Sequence, residues 1–429
     1  MSELIDSRSL KVLLVIESCN PDWSSVPLVG YNFFRVLDEK ANVTLVTHIR
    51  NRDALTRKGH QNVVYIDESQ HIQRYYAWVS SITQKIWPLH HAITYPVYAE
   101  FNHKVYVQFK DAVSAGDYDL VHVITPMIPR YPVKLSLACT QTPFLCGPVN
   151  GGVPFPDGFK NIARKEYSYL NFLRAFGQLL LPGYEKTYRQ ADKILSGSTY
   201  TLKMLQEKFA LPDERIQLFY ENGIDQKFLD AAHERSPHET IRLIFVGRLV
   251  PYKGADMLLD AIAALEPAVR DRIHLTIVGD GQERSALEHQ SQQLNLTSNV
   301  TFTGWVQQHE TLDYYKQSDV FCFPSIREFG GAVVMEAMGA GLPCIVVNNG
   351  GIGEYVTDDT GIKIDPHSRA HIVTEMAKHI AVLVKEDTRR QAMSTAATER
   401  AKQFEWSHKA TAMLDIYHDL VQATSKTTG

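Results

Sequence analysis

The chain has 429 residues, 44% hydrophobic and 21% charged, with a formal net charge of −4 at pH 7. That length exceeds what one simple core fills, so two domains are expected, and the near-neutral balance gives no electrostatic basis for nucleic-acid binding. The five cysteines (Cys19, Cys139, Cys146, Cys322 and Cys344) are scattered and form no C-x-x-C pair, which argues for buried thiols in a reducing compartment over disulfides or zinc ligation.

The first apolar run, residues 12–16, is too short for a signal peptide and reads as a buried strand. No stretch approaches the ~18 apolar residues of a membrane span, so a cytoplasmic protein is expected. Beyond the first strand, Ser24 and Ser25 offer hydroxyls suited either to an anion or to capping a helix start. Further short strands are expected at 43–47, 63–66, 120–124 and 144–146. Their alternation with helical patterns implies βαβ units and a parallel sheet. Asp117-Tyr118-Asp119 has the D-x-D spacing of a metal site but precedes a strand, and reads as a polar turn. His122 lies within the strand at 120–124, either as a hydrogen-bonded core residue or as a site group. The glycine-rich loop 147–152 carries Asn150.

Residues 159–188 are rich in aromatic and basic side chains. They suit a membrane-surface helix, an interdomain helix or a cover over an acceptor pocket; the run 87–106, opening Trp87-Pro88-Leu89-His90-His91, is similar in character. A strand is expected at 193–196, with 196–199 capping the next helix. Asn222-Gly223 supplies a turn, and 233–239 reads as linker.

A second α/β series then begins, with strands starting at Ile241, His274, Val300, Val320 and Cys344. Two such series suggest two doubly wound domains with a cleft at the carboxyl ends of their strands. Gly247 ends the first of these strands, and Arg248 and Lys253 project from the loop that follows. Two fixed cations there would stabilise a leaving diphosphate, although a solvated basic loop is the plainer reading. Gly279 and Gly281, in Val278-Gly279-Asp280-Gly281, permit close backbone approach to a ligand. Thr303-Gly304-Trp305 closes another strand, and Trp305 could equally be core.

Residues 324–343, PSIREFGGAVVMEAMGAGLP, are the richest stretch. Glu328 and Glu336 stand eight positions apart, with Phe329, Gly330 and Gly331 leading into a helix over 332–338. A helix start fed by glycines exposes unpaired N–H groups and a partial positive charge, which suits a phosphate. Carboxylates on either side could grip hydroxyls. Gly350-Gly351 supplies a structural turn with Glu354 behind it. At the end of the chain Trp406, Ala410, Met413, Leu414, Tyr417, Leu420 and Val421 share one helical face.

These motifs resemble glycosyltransferase family 4: the G-R-x-x-x-x-K-G loop, the VGDG turn, and the E-x7-E segment with its EAMGAGLP continuation. The resemblance is densest over 242–356 and thin before residue 193. It implies the α/β GT-B architecture, in which two doubly wound Rossmann-like domains face a central cleft and the C-terminal helix crosses back to the N-terminal domain. The acceptor domain would be 1–220, completed by 405–429, and the donor domain 221–404. The implied activity is metal-independent, cofactor-free, retaining transfer of a hexose from a nucleoside diphosphate sugar to a glycan or lipid-linked acceptor, in cell-surface polysaccharide or glycolipid synthesis. Peripheral contact with the inner face of the cytoplasmic membrane would suit a lipid-linked acceptor.

By that resemblance Glu328 grips sugar hydroxyls, Glu336 the ribose, and Arg248 with Lys253 the diphosphate. Gly247, Gly279, Phe329, Gly330 and Gly331 shape the donor pocket. His122 and Asn150 fall near the reacting centre. The chain departs from the family in two places. It lacks the glycine pair after the first strand, with Gly30 the one glycine nearby, and it has Asn150 where many relatives carry a loop histidine. A nucleotide-sugar 2-epimerase of the same fold and a catalytically inactive nucleotide-sugar-binding relative are the rival readings.

Overall fold

The structure, a computed structural model, describes residues 9–83, 90, 93–166, 181–233, 239–307 and 309–428. Contacts divide the chain into two units: Met1–Gly152, Arg164–Glu221 and Lys409–Gly429 form the first; Val153–Ala163 and Asn222–His408 form the second.

Unit 1 contains seven strands: β1 (Lys11–Val15), β2 (Asn42–His48), β3 (Val63–Ile66), β4 (Leu120–Val123), β5 (Phe144–Val149), β6 (Lys193–Ser196) and β7 (Ile216–Leu218). They form one parallel sheet in the order β3-β2-β1-β4-β5-β6-β7, with Leu14 opposite Leu45 on one side and His122 on the other. Unit 2 has β8 (Ile241–Val246), β9 (Ile273–Val278), β10 (Val300–Gly304), β11 (Val320–Phe323), β12 (Cys344–Val347) and β13 (Gly361–Ile364). These are also parallel, in the order β10-β9-β8-β11-β12-β13. The central strands VFCF and CIVV are buried along their whole length, as continuous apolar runs in a sheet covered on both faces should be. Each expected strand is present. β7 and β13 are additional; each is short and closes one edge of its sheet.

The helix Val26–Asp38 starts differently from the sequence expectation. Ser25, its N-cap, has φ 67° and makes no side-chain capping bond. The loop before it is held by buried Asn20 instead, whose Oδ1 accepts the Asp22 N–H at 2.9 Å and whose own N–H donates to the Pro27 carbonyl at 3.0 Å. Gly30 lies inside this helix, not in the loop. A Cβ there would stand 2.5 Å from the Ser18 carbonyl, so the glycine lets the helix pack closely against the start of the first βα loop. Asp119 accepts the Lys11 N–H at 2.8 Å, which gives the D-x-D spacing a structural use as a turn.

The terminal helix Trp406–Thr428 buries Trp406, Ala410, Met413, Leu414, Tyr417 and Leu420. From Lys409 onward it clusters with unit 1. There Tyr417 donates its hydroxyl to His122 Nδ1 at 2.7 Å, and His122 Nε2–H donates to the Gly147 carbonyl at 2.6 Å. Both ring nitrogens are engaged and the residue is fully buried. His122 is therefore a core fastening between β4, β5 and the terminal helix, which corrects its expected place near a reacting centre.

Burial pushes the His122 imidazole down to about 4, with the Gly147 bond opposing. His48 is likewise lowered to about 4 by burial and then by Arg50. The unfolded chain protonates these rings from about pH 6.5 downward while the folded chain resists until about pH 4. Their contribution is thus fully present above pH 6.5 and falls as pH drops through that window, by about 3 kcal/mol for a fully buried ring. Chemical-denaturation midpoints at pH 7.5 and 4.5 should show this loss, and a smaller one in His122→Gln; equal slopes would contradict it.

Of the aromatic and basic stretch 159–188, residues 167–180 lie outside the described residues, as do 84–89 and 91–92 of the earlier aromatic run and 234–238 of the expected linker. Among the described residues no helix is long and apolar enough to cross a membrane. All five cysteines are free thiols, four buried and Cys139 half-buried.

Candidate functional site

In unit 2 the strand order reverses at β8, which lies between β9 and β11. In an open α/β sheet that reversal opens a crevice beyond the carboxyl ends of the strands. The loops after β8 and β11 are the two carrying Arg248, Lys253, Glu328 and the glycine pair. They are joined backbone to backbone: the Ile326 N–H donates to the Tyr252 carbonyl at 2.9 Å. Gly254 has φ 73°, and a Cβ on it would lie 2.4 Å from the Pro324 carbonyl. This is why a glycine follows Lys253.

Gly247 and Gly279 also meet. Gly279 has φ 139°, and a Cβ there would stand 2.0 Å from the Gly247 carbonyl. Gly281 approaches the Leu249 carbonyl in the same way, at 2.3 Å. The close approach that these glycines permit is thus to the neighbouring loop. Gly279→Ala should cost about 2 kcal/mol or more in unfolding free energy, because strain and a backbone clash coincide. Urea denaturation checks this; a wild-type midpoint would contradict it.

Glu328 and Lys253 are partners. The Lys253 ammonium pairs with Glu328 Oε2, and both side chains are largely shielded, at 13% and 15% exposure. Ser325 Oγ donates to the same oxygen at 3.2 Å. The Lys253 ammonium also lies 4.9 Å from the Phe323 ring centroid. The sequence treated the two as separate grips for diphosphate and sugar; the fold places them in direct contact. Arg248 is exposed, and its guanidinium donates to the Tyr252 hydroxyl at 2.9 Å.

The helix Ala332–Gly339 starts at Gly331, whose φ is 49° and which supplies no capping side chain. A Cβ at Gly331 would meet Ile352 Cγ2 at 2.3 Å and Glu328 Cγ at 2.9 Å, so glycine is required beside the carboxylate. Gly330 is buried, and Phe329 is half-buried beneath the Arg327 guanidinium, 4.9 Å from its ring. Glu336 is 5% exposed on the second turn, and its Oε2 accepts the Tyr315 hydroxyl at 3.2 Å. Burial, and then the Glu336 charge, pushes the Tyr315 phenol well up, so it remains a donor. Trp305 is 67% exposed, which removes the core reading for it. Tyr252, Ser325 and Tyr315 were given no role from the sequence. The first two lie within the recognised loops, whereas Tyr315 carried no signal beyond an aromatic in a helix.

In unit 1 the expected Asn150 is only 4% exposed, and its side chain is the hub of a buried network. Its amide nitrogen donates to Glu221 Oε1 and Oε2 at 2.8 and 3.0 Å. Its oxygen accepts from the Ser198 and Thr201 hydroxyls, each at 2.9 Å. Beside it Lys409, pulled down to about 7 by burial against the pull of Glu221, donates to the Tyr220 carbonyl at 2.5 Å. Asn150 therefore ties together the loops after β5, β6 and β7, and this arrangement corrects its expected presentation to a reacting group.

Residues 226–400 match the family model described as glycosyl transferases group 1. Among curated proteins, the chain is 28% identical over 256 residues to the D-inositol 3-phosphate glycosyltransferase of Stackebrandtia nassauensis, covering 56% of this chain and 57% of that protein. It is 31% identical over 204 residues to that of Corynebacterium glutamicum, covering 45% and 48%. The chain thus spans about half the length of the curated relatives it matches. Among solved structures, Anabaena Alr3699/HepE in complex with UDP superposes with a TM-score of 0.65 at 17% identity, over 96% of this chain and 100% of that one. WaaG, a glycosyltransferase involved in lipopolysaccharide biosynthesis, gives 0.59 at 16%, over 95% and 99%. The lipopolysaccharide outer core galactosyltransferase WaaB gives 0.64 at 14%, over 97% and 100%. These likenesses establish the fold.

Proposed function

We propose that this chain of GT-B fold, whose residues 226–400 match the model of glycosyl transferases group 1, is a family 4 glycosyltransferase, a retaining hexosyltransferase using a nucleoside diphosphate sugar. The observation that carries this reading is the Lys253–Glu328 pair, with Arg248 on the Lys253 loop and an uncapped helix start between Glu328 and Glu336. A diphosphate entering here meets Arg248, the first helix amides and Lys253. As Lys253 turns to the phosphate, Glu328 is released to accept hydrogen bonds from sugar hydroxyls, while Glu336 takes the ribose.

Bond breaking between the anomeric carbon and the phosphate oxygen builds negative charge on the diphosphate, which these cations stabilise most in the transition state. The acceptor hydroxyl adds to the same face, and its proton passes to the departing phosphate oxygen. No protein base and no metal is needed in this scheme. The UDP complex of Alr3699/HepE supports a nucleoside diphosphate donor, and the lipopolysaccharide enzymes among the neighbours support a glycan or lipid-linked acceptor in cell-surface synthesis.

Proton NMR of the protein incubated with UDP-, GDP- and ADP-glucose, with and without EDTA, tests the reading. The expected result is slow donor hydrolysis that releases the α-sugar first, unchanged by EDTA. Appearance of a nucleotide sugar inverted at C2 would establish the epimerase instead, and β-sugar would refute retention.

A further inference from the structure

Residues 153–155 follow the Asn150 loop in sequence yet cluster with unit 2, against the segment that carries Glu328. The Arg327 Nε–H donates to the Val153 carbonyl at 2.8 Å, across 174 positions of sequence. Its guanidinium lies 4.8 Å from the Phe155 ring and 4.9 Å from the Phe329 ring, placing Arg327 between an aromatic of each segment. Asn349 Nδ2 joins the same two segments, donating to the Ile326 carbonyl at 2.7 Å and the Pro154 carbonyl at 3.2 Å.

Next to Asn349 the Glu328 loop also rests on a glycine turn. Gly351 N–H donates to the Phe329 carbonyl at 3.1 Å. A Cβ on Gly350 would lie 1.9 Å from the Glu328 carbonyl and 3.6 Å from Val153 Cγ1. The backbone of 326–329 is therefore held by the strap and by the glycine turn beside it, while the Glu328 carboxylate faces Ser325 and Lys253.

We propose that residues 153–155 form a strap that sets the position of Glu328, and that Arg327 is the positioning residue fastening it. The inference rests on the donor-site reading above. It assigns Arg327 no contact with the donor. Its planar fork donates to Val153 while stacking on two rings, a combination that lysine reproduces only in the hydrogen bond. Displacing a positioned group by about 1 Å costs on the order of 100-fold in rate. The diphosphate grip, on Arg248 and Lys253, does not pass through the strap.

The test compares wild type with Arg327→Ala, Arg327→Lys and Asn349→Ala. It measures affinity for UDP, GDP and ADP by calorimetry, hydrolysis of the matching nucleotide-glucose, and amide hydrogen exchange of 153–159 and 326–329. For Arg327→Ala the expected result is nucleoside diphosphate affinity within about 3-fold of wild type, kcat for hydrolysis down about 30- to 100-fold, and faster exchange in both segments. Arg327→Lys should recover part of the rate, and Asn349→Ala should reproduce the exchange change independently. Wild-type kcat in Arg327→Ala, or equal losses of affinity and kcat, would overturn the proposal. Should wild type bind none of the probes, the donor reading fails instead; exchange then still decides the strap, since unchanged exchange in both arginine variants refutes it.

Discussion

Glu328→Gln is expected to lower kcat for the nucleotide sugar by about 100- to 1,000-fold while nucleoside diphosphate affinity holds or improves. The substitution keeps the shape of the side chain and a partner for Ser325, but removes the charge that pairs with Lys253. With no carboxylate to neutralise it, the Lys253 ammonium is available to the diphosphate from the outset, so binding of the diphosphate alone should tighten. The sugar loses a charged acceptor for its hydroxyls, and that loss falls on the step in which the sugar separates from phosphate. Steady-state kinetics with calorimetry resolves the two effects. A rate and an affinity that fall together would mean that Glu328 holds the loop without touching the sugar.

Arg248→Ala has the opposite signature. Arg248 is exposed and bonded to the Tyr252 hydroxyl, so its loss should leave the unfolding midpoint nearly unchanged. Nucleoside diphosphate affinity should fall about 30- to 100-fold, the loss of a charge-assisted contact to phosphate, or 2–3 kcal/mol. Affinity for the corresponding nucleoside should not move. A parallel loss of nucleoside binding would place Arg248 elsewhere in the pocket.

The two halves of the molecule differed in how much their sequence disclosed. In unit 2 the site is built from loops whose partners are themselves motifs: Gly254 against Pro324, Gly279 against Gly247, Gly331 against Glu328. Each glycine marks a close approach, to backbone at Gly254 and Gly279 and to side chains at Gly331, so the motifs and their packing are written in the same residues. The Lys253–Glu328 contact spans 75 positions and has no local signature, hence their assignment to separate grips. In unit 1 the decisive partners are distant and ordinary in type. His122 finds Tyr417 across 295 positions, and Asn150 finds Glu221 across 71. Nothing near either residue in sequence distinguishes a core fastening from a site group. β7 and β13 escaped notice for a different reason: IQL and GIKI are too short, and each too mixed in polarity, to carry a strand pattern. Arg327 was hidden by its neighbour, since its partner Val153 precedes it by most of a domain.

The most direct test of the account is a thermal-shift panel on the wild-type chain with UDP, GDP, ADP and dTDP, each beside its monophosphate. The account predicts a selective shift from one diphosphate and little from its monophosphate. At about 100-fold saturation, selective binding adds close to 3 kcal/mol to stability. No shift from any diphosphate, or equal shifts from diphosphate and monophosphate, would contradict a diphosphate grip at Arg248 and Lys253, and with it the donor site.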